Sequence, residues 1–423
     1  MTSQFDRMPD RQKSESIKWK HYPPDVLPMW VADMDFYSPP AVIDALEARV
    51  NHGVFGYAVA PPELKEVIVE RLDQRYRWKI IPDDIVFLPG VMAGFNLSAR
   101  ARSEPGGAVW IQTPVYMPFL DVGENAGMMQ EEMLLYPDSE GRYEIDLDEF
   151  SAKVDDHTRM FLLCNPHNPV GRVFMPEELS RMAEICLRNR AVICSDEIHC
   201  DLIFSGHRHT PIASLDPEIA ENTITLMAPS KTFNIPGLKC SFAVITNPSL
   251  RERLQQARRG LVGDVNLLGY PAALAAYRYG DAWLNELLVY LEENRNVLLD
   301  AIRRDFHGMK MFNPEGTYLA WLDCREAGVG ENPYQFFLEN ARVGLNDGAS
   351  FGRGGEGFVR LNFACPRALL EQGLAPVSYT HLRAHETVLD LVCRLLLEKK
   401  KNNKKKNTNS TYAHLTHHIT LHI

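Results

Sequence analysis

The sequence has no run of about 18 apolar residues, the length a helix needs to cross a bilayer. Its opening stretch, MTSQFDRMPDRQKSESIKWKHYPP, holds no apolar core of the length a secretory signal needs. No CxxC pair occurs among the eight cysteines, and Cys164, Cys194 and Cys240 fall inside apolar runs. We read them as reduced structural thiols of a cytoplasmic protein. The body carries no basic stripe and the net charge is −10, which argues against nucleic acid and anionic membrane as partners. No internal repeat is visible. What remains is an ordinary globular composition, 45% hydrophobic and 24% charged, over 423 residues, enough for two to three domains with a large core.

One boundary is sharp. The 47 residues after Pro376 hold six Lys and two Arg against three acids, a net of +5, and six of the fourteen histidines. The body before them has 45 − 8 = 37 bases and 55 − 3 = 52 acids, a net of −15. The first half of this basic, Asn-rich tail (377–423) resembles translated sequencing-adapter read-through, and we leave it out of functional reasoning. Before it, apolar runs alternate with amphipathic stretches. The runs at 84–89, 108–113, 159–165, 191–197, 223–228 and 240–246 read as strands, and 176–189 reads as a helix between them. That alternation predicts an α/β fold with a mostly parallel sheet, here over residues 46–282. A long helix at 282–305 and strands at 318–324 and 358–364 predict a smaller α+β domain over 283–376, joined by the N-terminal segment 1–45.

In open α/β sheets ligands bind beyond the carboxyl ends of the strands, so the residues just past each strand carry the most information. After 84–89 a glycine turn enters a helix at Val91 and Met92, and their free N–H groups suit a phosphate. After 108–113, Tyr116 stands between two prolines. After 159–165, the stiff PHNPVGR turn aims Asn168. The run 191–197 ends with Asp196 and leads to His199, and 223–228 leads to Ser230 and Lys231, with Lys239 eight residues on. Five neighbouring strands would thus offer an anion cradle, an aromatic face, an amide, a carboxylate and an amine to one crevice. Pyridoxal phosphate needs all five: an amine for its aldehyde, a carboxylate for its ring nitrogen, a donor for its phenolic oxygen, an aromatic face and a helix N-terminus. Singly each residue is ordinary. Lys231 reads as a solvated turn lysine, Asn168 as a turn residue, Asp196 as a helix cap and Tyr116 as core.

The chain from about 15 to 375 resembles the fold type I pyridoxal-phosphate enzymes of the aminotransferase class I/II superfamily, and within them the MalY/PatB group of cystathionine β-lyases and cysteine-S-conjugate β-lyases. The resemblance rests on LPMWVADMDF (27–36), FGY (55–57), NPHNPVGR (165–172), SDEIHCDL (195–202), APSKTFNIPGLK (228–239) and VRLNFACPR (359–367), all in order and spacing. It implies that Lys231 carries the cofactor, Asp196 pairs with its ring nitrogen, Asn168 bonds the ring oxygen and Tyr116 stacks on the ring. His199 occupies a place where many relatives of this fold have tyrosine. Val91, Met92, Ser230 and Lys239 would serve the phosphate, joined by Tyr57 from a neighbouring subunit. Arg360 would clamp the substrate α-carboxylate, with the Val31–Ala32 backbone closing over it and Trp30 beside the departing thiol. The small-residue stretch 269–280 offers itself to the homodimer interface. One departure is that Pro376 is expected to cut the last family helix short after 367–374.

Two rival motifs carry less. GRGGEG (352–357) fits a dinucleotide pattern, but a strand comes after it where a helix is required, and we read a loop. His199, Cys200, His207 and His209 match no common metal spacing, so no metal is expected. The NLS triplet at 96–98 is a sequon a cytoplasmic chain does not use. The implied activity is C–S β-elimination from cystathionine or other cysteine S-conjugates. An aminotransferase is the alternative, because Lys231, Asp196 and Arg360 serve both. A binding protein that keeps the fold, as in the MalY regulatory precedent, is a second, which the intact catalytic residues disfavour.

Overall fold

The computed structural model describes residues 3–384. Of the basic tail, 385–423 therefore lie outside the described residues.

The six expected strands form, and a seventh, Met129–Leu134, which the sequence reading did not place, joins them at one edge. β1 (Ile85–Leu88), β2 (Ala108–Thr113), β3 (Met129–Leu134), β4 (Thr158–Cys164), β5 (Val192–Asp196), β6 (Thr223–Met227) and β7 (Ser241–Val244) make one seven-stranded sheet in the order β1-β7-β6-β5-β4-β2-β3. The central strands are apolar without alternation because both faces are covered. In β4, Met160, Leu162 and Cys164 enter one hydrophobic cluster while Phe161 and Leu163 enter another on the opposite face. All pairs between β6 and β3 are parallel, whereas β7 runs antiparallel to both of its neighbours. This corrects the expectation of five adjacent strands feeding one crevice, since β7 stands between β1 and β6. The chain after β6 turns back on itself through 228–240 and re-enters the sheet reversed. The carboxyl ends of β1, β2, β4, β5 and β6 still share one edge.

A second sheet comes after the long helix Asp281–Asp305. It has four strands, β8 (Lys310–Met311), β9 (Leu319–Asp323), β10 (Asn346–Asp347) and β11 (Phe358–Asn362), in the order β8-β9-β11-β10, all antiparallel. The N-terminal segment attaches here. Leu27 and Pro28 pair in parallel with Val343 and Gly344, Asn362 N–H donates to Met29 O at 2.9 Å, and Asp35 N–H donates to Ala364 O at 2.9 Å. A fully buried ion pair anchors that segment: Lys18 Nζ lies 2.7 Å from Asp35 Oδ2, and Arg11 Nη1 lies 2.8 Å from Asp35 Oδ1. Residues 352–357 form a loop leading into β11, with no helix after it.

Two details differ from the sequence reading. The last helix, Arg367–Ala384, runs through Pro376 instead of ending there. A proline removes its own N–H from the helix ladder and crowds the carbonyl four residues back, a cost that this helix absorbs without ending. The small-residue helix Gly269–Tyr279 packs against the chain's own helices Pro40–Asn51 and Pro62–Tyr76, so Ala272, Ala273, Ala275 and Ala276 are already buried without a partner subunit. Val54, Phe55, Tyr57 and Val59, on the loop before Pro62, are instead exposed.

Candidate active site

β5 ends by burying Asp196, which sits opposite Cys164 of β4 and Leu226 of β6. Its Oδ1 accepts the N–H of Ile198 at 3.1 Å. Burial dominates and pushes this carboxyl up to about 7, against the pull of that N–H and of Lys231. It is a carboxylate in want of a cation.

Lys231 comes after β6 on the one-turn helix Pro229–Thr232, and its amine donates to the Ala32 carbonyl at 2.5 Å. Burial, then Arg360, push it down to about 8, while Asp33 and Asp196 pull the other way. Lys231 retains some solvent contact, which limits that effect. The hydroxyl of Tyr318 donates to the same Ala32 oxygen at 3.0 Å.

Arg360 reaches in from β11 of the second sheet. Its Nη1 donates to Asn168 Oδ1 at 2.9 Å, and its Nη2 donates to Asn346 Oδ1 at 2.6 Å and to Trp30 O at 3.0 Å. The ring of Phe351 lies 4.9 Å from the guanidinium. Burial lowers Arg360 to about 10, which leaves it charged at neutral pH. With Asn168 Oδ1 committed to Arg360, the amide's NH2 end remains as a donor. Tyr116 is half-buried, and its N–H donates to Asn168 O at 3.0 Å. Burial and then Asp196 raise its hydroxyl above the usual range. His199 is buried and held neutral, first by burial and then by the charges of Lys231 and Arg360; its Nδ1 has no hydrogen-bond partner.

The structure therefore brings Lys231, Asp196, Asn168, Tyr116, His199, Arg360 and Ala32 into one crevice between the two sheets. Val91 opens the helix Val91–Ala101 after Gly90, whose φ of 151° is open to glycine and strained for other residues. Met92 is exposed and Ser230 is buried. Lys239 and Tyr57 stand on the surface, and no hydrogen bond or ion pair joins either to the others among the described residues. Val31 meets the site through its carbonyl, which accepts Asn362 Nδ2 at 2.7 Å. Sequence reasoning missed Tyr318, Asn346 and Asn362. Asn362 stands in the VRLNFACPR motif without a role the spacing assigns, while Tyr318, just before β9, and Asn346 of β10 give no signal until the fold carries them to Ala32 and Arg360.

Of the imagined metal set, His209 Nε2 is engaged with Glu197 Oε2 at 2.8 Å. Among the described residues no group of three or more His, Cys, Asp or Glu is placed to hold a metal. No described helix is long and apolar enough to cross a membrane.

The donor set fits pyridoxal phosphate. A buried carboxyl without a cation faces the need of a pyridine nitrogen, a lysine amine of lowered pKa faces that of an aldehyde, and an amide NH2 faces that of a phenolic oxygen. Comparison with known proteins agrees. Residues 24–376 match the profile of the family described as aminotransferase class I and II. The cystathionine β-lyase PatB of Bacillus subtilis (strain 168) is 38% identical over 380 residues, covering 88% of this chain and 97% of that protein. Cystalysin from Treponema denticola, whose crystal structure contains pyridoxal 5'-phosphate, superposes with a TM-score of 0.86 at 33% identity, covering 90% of this chain and 99% of that one. The PLP-bound C–S lyase from Staphylococcus hominis superposes at 0.84 with 34% identity, over 89% and 98%.

Proposed function

This chain belongs to the aminotransferase class I and II family, and from that premise we propose that it is a pyridoxal-phosphate-dependent C–S lyase, cleaving cystathionine or other cysteine S-conjugates to a thiol, pyruvate and ammonia. The observation that carries the reading is the meeting of Lys231, Asp196 and Arg360, from two sheets, in one buried crevice. Bound pyridoxal phosphate supplies an electron sink for the pair left at the substrate Cα when its proton departs.

This chain's residues do the rest. Lys231 holds the cofactor and, once released, takes the Cα proton; an amine near 8 is a competent base at neutral pH. Asp196 accepts the ring N–H and keeps it protonated. Arg360, held in plane by Asn168 and Asn346 and with its Nε–H unpartnered, would grip the α-carboxylate. Asn168 would give its NH2 to the ring oxygen and Tyr116 would stack on the ring, with His199, held neutral, also serving the cofactor. Val91, Met92, Ser230 and, from the surface, Lys239 would serve the phosphate; Val31 and Ala32 would close over the substrate, with Trp30 at the thiol. The C–S bond then breaks at Cβ, and water completes the products.

The same residues would serve transamination, so the names of the relatives favour the lyase. The test is incubation with L-cystathionine and no keto acid. Stoichiometric pyruvate and homocysteine are expected. Turnover only on addition of a keto acid, with pyridoxamine phosphate accumulating, would move the activity to an aminotransferase.

The reading includes a homodimer with shared sites. Tyr57 and its apolar neighbours Phe55 and Val59 are exposed and free to reach across to a second copy's phosphate. Mixing Tyr57→Phe with Lys231→Ala protomers is expected to restore activity above either parent, because one of the two hybrid sites keeps both native residues. No gain in the mixture would rule out sharing. The seven described cysteines are unpaired and buried, which suits the reducing cytoplasm where the reading places the enzyme.

A further inference from the structure

Asp201 is a buried carboxylate that the proposed reaction does not use. It has four donors. Its Oδ1 accepts Arg71 Nη2 at 3.0 Å and the hydroxyl of Tyr76 at 3.4 Å, and lies 3.1 Å from Arg75 Nε. Its Oδ2 accepts the hydroxyl of Thr232 at 3.2 Å. Burial works to raise this carboxyl, but Arg71 and Arg75 outweigh it and hold the group below the ordinary range.

Thr232 is the residue after Lys231 and the last of a four-residue helix, Pro229–Thr232. So short a helix has no stability of its own. Ala228, at its N-cap, has no side-chain oxygen to cap it. Two backbone bonds tie the turn, Phe233 N–H to Pro229 O at 2.9 Å and Ile235 N–H to Ser230 O at 3.0 Å. Among the described residues, the side-chain bonds from this helix are that of Lys231 to Ala32 and that of Thr232 to Asp201. The lysine's own bond must be given up when it works. The Thr232 bond remains.

We propose that Asp201 is a positioning residue for Lys231: clamped by Arg71 and Arg75, it holds Thr232 and so fixes the turn that presents the amine. Arg71 stiffens the clamp from both ends. Its Nη1 donates to Asp281 at 2.7 Å, and its guanidinium lies 4.9 Å from the ring of Tyr277 and 5.8 Å from that of Phe233, the residue immediately after Thr232. A base displaced by about 1 Å from its working position loses about 10²-fold in rate, so a tether one residue away is felt at the Cα proton.

The inference rests on the proposed role of Lys231 as base, and its test does not depend on which products form. Exchange of the α-proton of an L-amino acid in D2O, monitored by NMR on the holoenzyme, is common to lyase and aminotransferase. Failure of the pyruvate assay would speak against the lyase; variants at Thr232 and Asp201 speak to the clamp. Thr232→Val is expected to slow exchange on the order of 10- to 100-fold. KM should stay within about threefold, because Arg360 sits on the other sheet. Pyridoxal phosphate added to the apoprotein should also develop the absorbance of its lysine-bound form more slowly in this variant, by a comparable factor. Thr232→Ser, which keeps the hydroxyl, should restore exchange to within about threefold of the parent. Asp201→Asn, which loses the arginine pairing, should slow exchange as well. If that variant does not fold, the two Thr232 variants decide. A Thr232→Val enzyme that melts earlier yet exchanges at the parent rate would overturn the proposal, as would a Thr232→Ser enzyme no faster than the valine variant.

Discussion

Lys231→Ala is expected to lower turnover by roughly 10⁴-fold or more and to leave no cofactor covalently trapped after borohydride treatment. Two losses combine in one residue. The amine that links the cofactor to the chain disappears, and so does the base for the Cα proton. Neither has a ready substitute in the crevice. His199 is held neutral but well below its usual pKa, which makes it a poor proton acceptor. Tyr318 and Tyr116 are pushed above the ordinary phenol range, chiefly by burial. The measurement is mass spectrometry of the reduced protein alongside the rate. A reduced adduct of unchanged yield in the alanine variant would remove Lys231 from the role. A pH dependence accompanies it. Lys231's folded value, about 8, lies below its ordinary 10.5, so the cost of charging it is fully present below about 8 and relieved as pH rises toward 10.5.

Asp196→Asn is expected to lower kcat on the order of 10²-fold or more, while making the apoprotein more stable above neutral pH. The asparagine keeps an oxygen for the Ile198 N–H and loses the charge that holds the ring nitrogen protonated. The sign of the stability effect comes from linkage. Asp196's folded value, about 7, lies above its ordinary 3.8, so the folded apoprotein binds this proton more tightly than the unfolded chain. Its stability therefore falls as pH rises from about 4 to 7, by roughly 4 kcal/mol at about 1.4 kcal/mol per unit. The asparagine variant lacks that slope. The holoenzyme should lack it too, because a cationic ring beside Asp196 lowers its pKa again. Urea unfolding of apo and holo forms between pH 5 and 8 checks this. A wild-type apoprotein without the slope would show that Asp196 finds its cation within the chain.

Six strands of the large sheet were legible because each is a short apolar run with a break at its end, whereas the edge strand β3, MQEEML, carries too many polar residues to read as one. Their direction was not. Nothing in SFAV of β7 marks it as reversed, since strand polarity depends on the path of the connecting chain. Lys231, Asp196, Asn168 and Arg360 were legible because each sits in a dense motif whose spacing the chemistry demands. Tyr318 and Asn346 were not, as their role comes from the second sheet folding over the first. Glu315 was equally silent. Its carboxylate is buried against Arg172 at 3.0 Å and Arg142 at 2.8 Å, an arrangement spanning more than 140 residues of sequence. Pro376 misled because a proline is a strong local stop signal that one continuing helix can absorb. The helix Gly269–Tyr279 misled because small residues mark close packing without saying against what.

The stretch 30–36 has a consequence for how the protein comes into being. Arg360 donates to the carbonyl of Trp30, Asn362 to those of Val31 and Asp33, Lys231 and Tyr318 to that of Ala32, and Asn234 to those of Met34 and Phe36. This stretch leaves the ribosome long before the groups that bind it. Its partners at Asn234 come about 200 residues later, and those at Asn362 about 330 later. At about 5–20 residues per second, the wait is on the order of ten seconds to a minute. Until residue 362 has emerged, several of these carbonyls have only water to bind. The crevice thus closes late in synthesis, and a ribosome that stalls before residue 360 releases a sheet without a site.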